Sequence, residues 1–116
     1  KENDQQRKSD LKNIKDALKK FYQANQSYPV ASTVQNTSVL NNALEILVPG
    51  YIVKLPVDPL SPTYYYSYTS DGKTFEITAR LEDTTDPLAI KVNENLYVYK
   101  VTDISTETLG VTNPTK

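Results

Sequence analysis

The chain has 116 residues and a net charge of −1, and it contains no His, Cys, Met or Trp. Without cysteine there is no disulfide or thiolate chemistry, and without histidine the commonest general base and metal ligand are missing. A hydrophobic fraction of 38% supplies one core, so residues 1–116 read as a single domain, and no apolar run approaches the ~20 residues of a membrane span. A chain without Met is expected to be a processed product or an excised piece.

Charge is placed unevenly. Residues 1–20 carry seven basic side chains (Lys1, Arg7, Lys8, Lys12, Lys15, Lys19, Lys20) and four acidic ones, for +3, while the remainder carries six basic and ten acidic, for −4. This pattern fits a solvated helix face, or a basic stem that attracts anionic lipid or the acidic body of a neighbouring copy.

Leu11, Ile14, Leu18 and Phe21 fall at i, i+3, i+7 and i+10, one stripe of an amphipathic helix. Asp4/Lys8 and Asp16/Lys20 add acid-before-base pairs at i, i+4. Residues 1–10 have no apolar side chain, so this decade is expected to fray or to project away from the core. The helix is predicted to end near Asn25. Residues 30–37 are rich in Ser, Thr, Asn and Gln and read as loop. A second, short helix is predicted from Ser38 as N-cap to Leu47, with Val39, Leu40, Ala43, Leu44 and Leu47 on its apolar face and Pro49-Gly50 as its stop.

Leu47–Pro59 holds three prolines, which exclude a continuous helix and bias their preceding residues toward extended backbone. The segment still has Leu47, Val48, Tyr51, Ile52, Val53, Leu55 and Val57 to bury, so it reads as a stiff connection pressed onto the core. Two runs follow, Thr63–Thr69 and Thr74–Glu82, separated by a turn containing Asp71-Gly72. Phe75, Ile77, Ala79 and Leu81 alternate with polar neighbours, and Asp-Gly between two such runs is a strong hairpin signal. Beyond a turn at Asp83–Leu88, a short strand is open at Ala89–Val92 and a further one is predicted at Leu96–Val101. Asp103–Lys116 is a Thr-rich tail, poorly ordered or edge-forming.

Little in the chain suggests catalysis. No phosphate-cradling glycine motif is present. Asp58, between Pro56 and Pro59, is best placed to accept backbone N–H groups in the turn. Calcium, which takes carboxylate and carbonyl oxygens, is the one metal the composition permits. Asp83 and Asp86, near Glu82, are its weak candidates, and ordinary turn acids are the simpler reading of them. Nine tyrosines allow a stacking platform, with Tyr64, Tyr66 and Tyr68 on one strand face and Tyr65 on the other. They also suit a core, and the acidic β half argues against a nucleic-acid partner.

The order of these features is specific. Lys8-Ser-Asp-Leu-x-x-Ile-x-x-Ala-Leu-x-x-Phe-Tyr22 is followed by Ser27-Tyr-Pro29, a short helix, Leu47-x-Pro-x-Tyr-Ile52 and Leu55-Pro-x-Asp-Pro59. Then come Tyr-x-Tyr, Asp-Gly and Phe75-x-Ile-x-Ala-x-Leu-Glu82. Over residues 7–82 this resembles the soluble region of type IV pilins and type II secretion pseudopilins, especially the cysteine-free major pseudopilin type. The resemblance implies an α+β fold, with an N-terminal helix packed on a three- to four-stranded antiparallel sheet and a short second helix in the connection. Its parts would be 1–25 (the C-terminal half of a long helix), 26–63 (αβ connection), 64–102 (sheet) and 103–116 (tail). It implies a structural subunit of a pilus or pseudopilus, without enzymatic activity or cofactor unless calcium binds. Its partners would be other copies, related pilins and the membrane assembly machinery. It would sit at the cell surface or in the periplasm, anchored in the inner membrane before assembly by an apolar helix upstream. Lys15, Lys19 and Lys20 are the expected subunit contacts. The other reading is a minor pilin acting as an adhesin or DNA-uptake tip.

Overall fold

The computed structural model describes residues 2–37 and 42–104. Helix α1 spans Glu2–Asn25, and its buried side chains include Asp4, Arg7, Leu11, Ile14, Leu18 and Phe21. These positions step by three and four residues, so they form one stripe along the helix. The last four are apolar; the first two are charged. At 1.5 Å per residue the 24-residue helix is roughly 36 Å long, close to the domain's longest dimension of 38 Å. With Asp4, Arg7 and Asp10 buried, residues 2–10 neither fray nor project. They lie on the domain, because their charges meet opposite charges there. The helix ends where Gln26 turns to a φ of 61° and its N–H donates to the Tyr22 carbonyl at 2.6 Å.

Five strands form one antiparallel sheet: β1 Ala31–Asn36, β2 Tyr66–Ser70, β3 Phe75–Arg80, β4 Ile90–Asn93 and β5 Leu96–Thr102, in the order β1-β2-β3-β5-β4. Register sets Tyr66 opposite Ala79, Tyr68 opposite Ile77 and Ser70 opposite Phe75, while Ile77 faces Val101 and Ala79 faces Tyr99. Since side chains alternate with a period of two, these residues share the face that meets α1. Tyr66, Tyr68, Phe75, Ile77, Ala79, Tyr99 and Val101 join Leu11, Ile14, Leu18 and Phe21 in one buried cluster. Each large side chain removed from water there contributes roughly 1.5–3 kcal/mol. Ser67, Thr69, Glu76, Thr78 and Lys100 occupy the opposite, wetter face.

Three local expectations change. Residues 31–36 are an edge strand rather than loop, with Ala31 opposite Ser70 and Asn36 opposite Ser67. Pairing with β2 overrides a weak local preference, and with β4 it raises the sheet to five strands. Ser38, Val39 and Leu40 lie outside the described residues. The helix described here is a 3-10 turn over Ala43–Leu47 capped by Asn42, whose Oδ1 accepts from Leu44 N at 2.8 Å and whose Nδ2 donates to the Thr37 carbonyl. In the proline connection Leu47 and Leu55 are buried, but Val48, Val57 and especially Val53, at 85% exposure, face solvent. The connection is pressed on the core through Leu47 and Leu55, with the partly buried Tyr51 and Ile52 packed against it. Of the tail, Asp103 and Ile104 are described, and 105–116 lie outside the described residues.

The β2–β3 turn closes against the end of α1. Tyr28 N donates to the Gly72 carbonyl at 2.8 Å, and the Tyr28 ring meets Phe75 edge-on at 4.8 Å. Asp71 Oδ1 accepts from Lys73 N and Thr74 N at 2.9 Å each. Gly72 has a φ of 97°, and a Cβ there would stand 3.2 Å from Ser27 Oγ and 3.3 Å from Val30 Cγ2. Gly72→Ala is expected to lower the unfolding free energy by roughly 1–3 kcal/mol through backbone strain. Gly50→Ala, into open space, should change it by less than ~0.5 kcal/mol. Urea denaturation of the two variants checks the contrast.

Candidate functional site, a buried ion cluster joining helix to head

The polar start of α1 converges with two other segments on Arg7, whose side chain is 0% exposed. Its Nε donates to Asp58 Oδ2 at 2.8 Å and its Nη2 to Asp58 Oδ1 at 3.0 Å, a two-pronged pair. Nη1 donates to Asp4 Oδ1 at 2.6 Å and to Glu82 Oε1 at 2.7 Å. The three carboxylates come from α1 itself, from the proline connection and from the chain just beyond β3. Asp4 also accepts the backbone N–H groups of Glu82 and Asp83, at 3.0 and 2.9 Å. Asp58 accepts Leu60 N at 2.8 Å, the turn role expected of it. The Tyr64 ring lies against two guanidiniums, with Arg7 Cζ at 4.8 Å and Arg80 Cζ at 5.0 Å from its centroid.

One residue along, Lys8 Nζ donates to Asp86 Oδ2. One turn further, Asp10 accepts the Tyr66 hydroxyl at 2.6 Å and Gln6 Nε2 at 2.7 Å. Among the described residues no buried side-chain N or O lacks a hydrogen-bond partner. That completeness is what makes the burial tolerable, since an unmet buried charge costs several kcal/mol.

Protonation follows the contacts. Burial pushes the Asp4 carboxyl up, but the N–H groups of Glu82 and Asp83 and the Arg7 guanidinium outweigh it and hold Asp4 below its ordinary value. The hydrogen bond from Arg7 holds Glu82 low as well. Burial works against the charge on Arg7, yet its carboxylate partners, Asp58 foremost, raise its pKa and keep it protonated. Burial, reinforced by Asp10, pushes the Tyr66 hydroxyl up, so it stays a donor.

The residues singled out from the sequence are distributed differently. Asp83 Oδ1 closes a turn by accepting Thr85 N at 2.9 Å and Thr85 Oγ1 at 2.6 Å, and Asp86 Oδ1 accepts Leu88 N at 2.8 Å while its other oxygen takes Lys8. Among the described residues no group of three or more His, Cys, Asp or Glu is arranged to hold a metal. Of the three lysines, Lys15 is buried, Lys19 Nζ donates to the Asp103 carbonyl at 2.7 Å, and Lys20 is exposed. Two cations of the positive stem, Arg7 and Lys8, are thus met within the same chain by the head carboxylates Asp58, Glu82 and Asp86. Tyr66 and Tyr68 are core, Tyr64 is stacked, and Tyr65 is 43% exposed, so the strand tyrosines form no continuous platform. Sequence reasoning missed Arg7. The available signal was register: Asp4 and Arg7 continue the three-and-four spacing of Leu11, Ile14, Leu18 and Phe21.

Residues 1–87 match the family model of type II secretion system (T2SS), protein G. The chain belongs to that family. No curated protein and no solved structure matches it. The protein G match takes in α1, the proline connection, the β2–β3 hairpin and every residue of the ion cluster from Asp4 to Asp86. Strands β4 and β5 lie beyond it. This pseudopilin thus carries a family-like helix and hairpin, with the cluster spanning both.

Two outcomes are expected. Asp4 and Glu82 have folded pKa values below their ordinary 3.8 and 4.5. Their stabilisation is therefore complete above those ordinary values and lost as pH falls through the lower, folded ones. Urea midpoints measured from about pH 7 to about pH 2.5 should fall steeply only below about pH 4.5, and less steeply in the Asp4→Asn/Glu82→Gln double variant. Tyr66→Phe, which strips Asp10 of a buried donor, should cost roughly 1–3 kcal/mol in the same assay at neutral pH.

Proposed function

We propose that the chain is the repeating structural subunit of a type II secretion pseudopilus. It polymerises in the periplasm with copies of itself and related pseudopilins, delivered by the assembly machinery of the inner membrane, and performs no catalytic step. Membership of the protein G family is the observation that carries this reading. The geometry agrees with it. The helix is docked along its whole length, which makes head and helix one rigid block suited to regular stacking. The buried carboxylates Asp4, Asp10 and Asp58 are all engaged by Arg7, Tyr66, Gln6 or backbone N–H groups, an arrangement for holding rather than for turnover. No described helix is long and apolar enough to cross a membrane.

Surfaces for contact between copies remain. Val53 and Val57 expose apolar side chains on the connection and Ile46 on the 3-10 turn before it, and Lys20 exposes a cation on α1. Contacts through the basic stem are accordingly expected at Lys20 before Lys15 or Lys19. Expression of the protein together with its secretion machinery should yield filaments visible by negative-stain microscopy, and deletion should abolish both filaments and secretion. Lys20→Glu should reduce filament yield several-fold. Secretion at the normal level in a strain lacking the protein would overturn the assignment.

A further inference from the structure

Arg7 does more than stabilise a fold, because beyond Asp4 on its own helix its carboxylate partners lie on two separate segments of the head, the proline connection and the chain after β3. Without it, the nearest apolar anchor of the helix is Leu11, whose side chain is fully buried. The nine helical residues before Leu11 would then extend roughly 14 Å of helix from its last anchor. Hydrogen bonds from Arg7 tie this stretch to Asp58 in the connection and to Glu82 after β3, and Asp4 adds two bonds to the backbone at Glu82 and Asp83. Lys8 adds a third attachment, at Asp86. Tyr64 backs the guanidinium from the sheet end, with Arg80 near the same ring.

We propose that Arg7 is a positioning residue for assembly: through Asp58 and Glu82 it sets the angle at which the first three turns of α1 meet the head. The inference rests on the pseudopilus reading above. A guanidinium suits the task because its planar fork fixes direction as well as distance, which an ammonium does not. In a helical polymer each subunit repeats the same angle, so a loose joint spoils register along the whole filament.

The test has two arms. In the isolated chain, hydrogen exchange is followed at the amides of residues 7–10 and of residues 14–21. Arg7→Gln should speed exchange at 7–10 by about 100-fold or more while 14–21 stay protected by the apolar stripe. Arg7→Lys, with charge but no fork, should fall between. Leu44→Ala, a core truncation away from the cluster, should weaken both sets together. In cells, Arg7→Gln should cut filament yield by about tenfold or more, whereas Leu44→Ala subunits that still fold should assemble. Glu82→Gln removes only the outermost carboxylate and should repeat the Arg7→Gln pattern at smaller amplitude, so it decides the matter if Arg7→Gln does not fold. Unchanged protection at 7–10, or wild-type filament yield from Arg7→Gln, would overturn the proposal. If the unmodified protein builds no filaments, the pseudopilus reading fails, and the exchange arm still decides whether Arg7 holds the helix.

Discussion

A guanidinium taken wholly out of water must be met on every side, and Arg7 is met by Asp58 as a fork, by Asp4 and Glu82 on one nitrogen, and by the face of Tyr64. Much else in the domain depends on this constraint. Asp58 can be buried because Arg7 and Leu60 N satisfy it. The loop after β3 holds its course because Asp4 accepts its backbone N–H groups. The proline connection keeps its place beneath the helix because its one buried acid is tied to α1. Net stabilisation from such a cluster is modest, since desolvation offsets much of the attraction. Its consequence is specificity of placement, as removal of one member leaves the others charged and dry.

The apolar half of the same stripe works by a different physics. Leu11, Ile14, Leu18 and Phe21 press on Tyr66, Tyr68, Ile77, Ala79 and Tyr99, and burial there is non-directional. Packing of this kind tolerates small rotations of a helix on a sheet. Directional hydrogen bonds at the other end do not. Helix α1 is thus held by bulk at its C-terminal half and by geometry at its N-terminal half. Such a division suits a subunit whose head must be both stable and aimed.

Register and alternation made much of the architecture legible in advance. The stripe of α1, the Asp71-Gly72 hairpin, the alternation of Phe75, Ile77, Ala79 and Leu81, and the strand at Leu96–Val101 all follow from local periodicity, and the structure places them as expected. The edge strand Ala31–Asn36 was not legible, because its polar composition pairs only once β2 offers a partner. Nor was the 3-10 turn at Ala43–Leu47, where the side chain of Asn42 decides the cap. At the candidate site, Asp58 was visible as a turn acid, but its partner lies 51 residues away in sequence. The three lysines were chosen by charge alone, and burial of Lys15 and bonding of Lys19 separate them from Lys20.

By itself, the order of residues determined an α+β domain, a helix laid on a β-hairpin sheet, and a likeness to pseudopilins that the protein G family match bears out. Hydrophobic spacing carries that information because burial of apolar surface depends on period and little on partner. Tertiary structure alone decided that residues 2–10 belong to the head, and that Arg7 and Lys8 of the positive stem are met by carboxylates of their own chain. It also decided that Arg7, rather than any residue picked from a motif, is the centre of the site. Charge carries no such local signature. A buried ion is defined by the distant groups that meet it, and only the folded chain brings Asp4, Asp58 and Glu82 to one guanidinium.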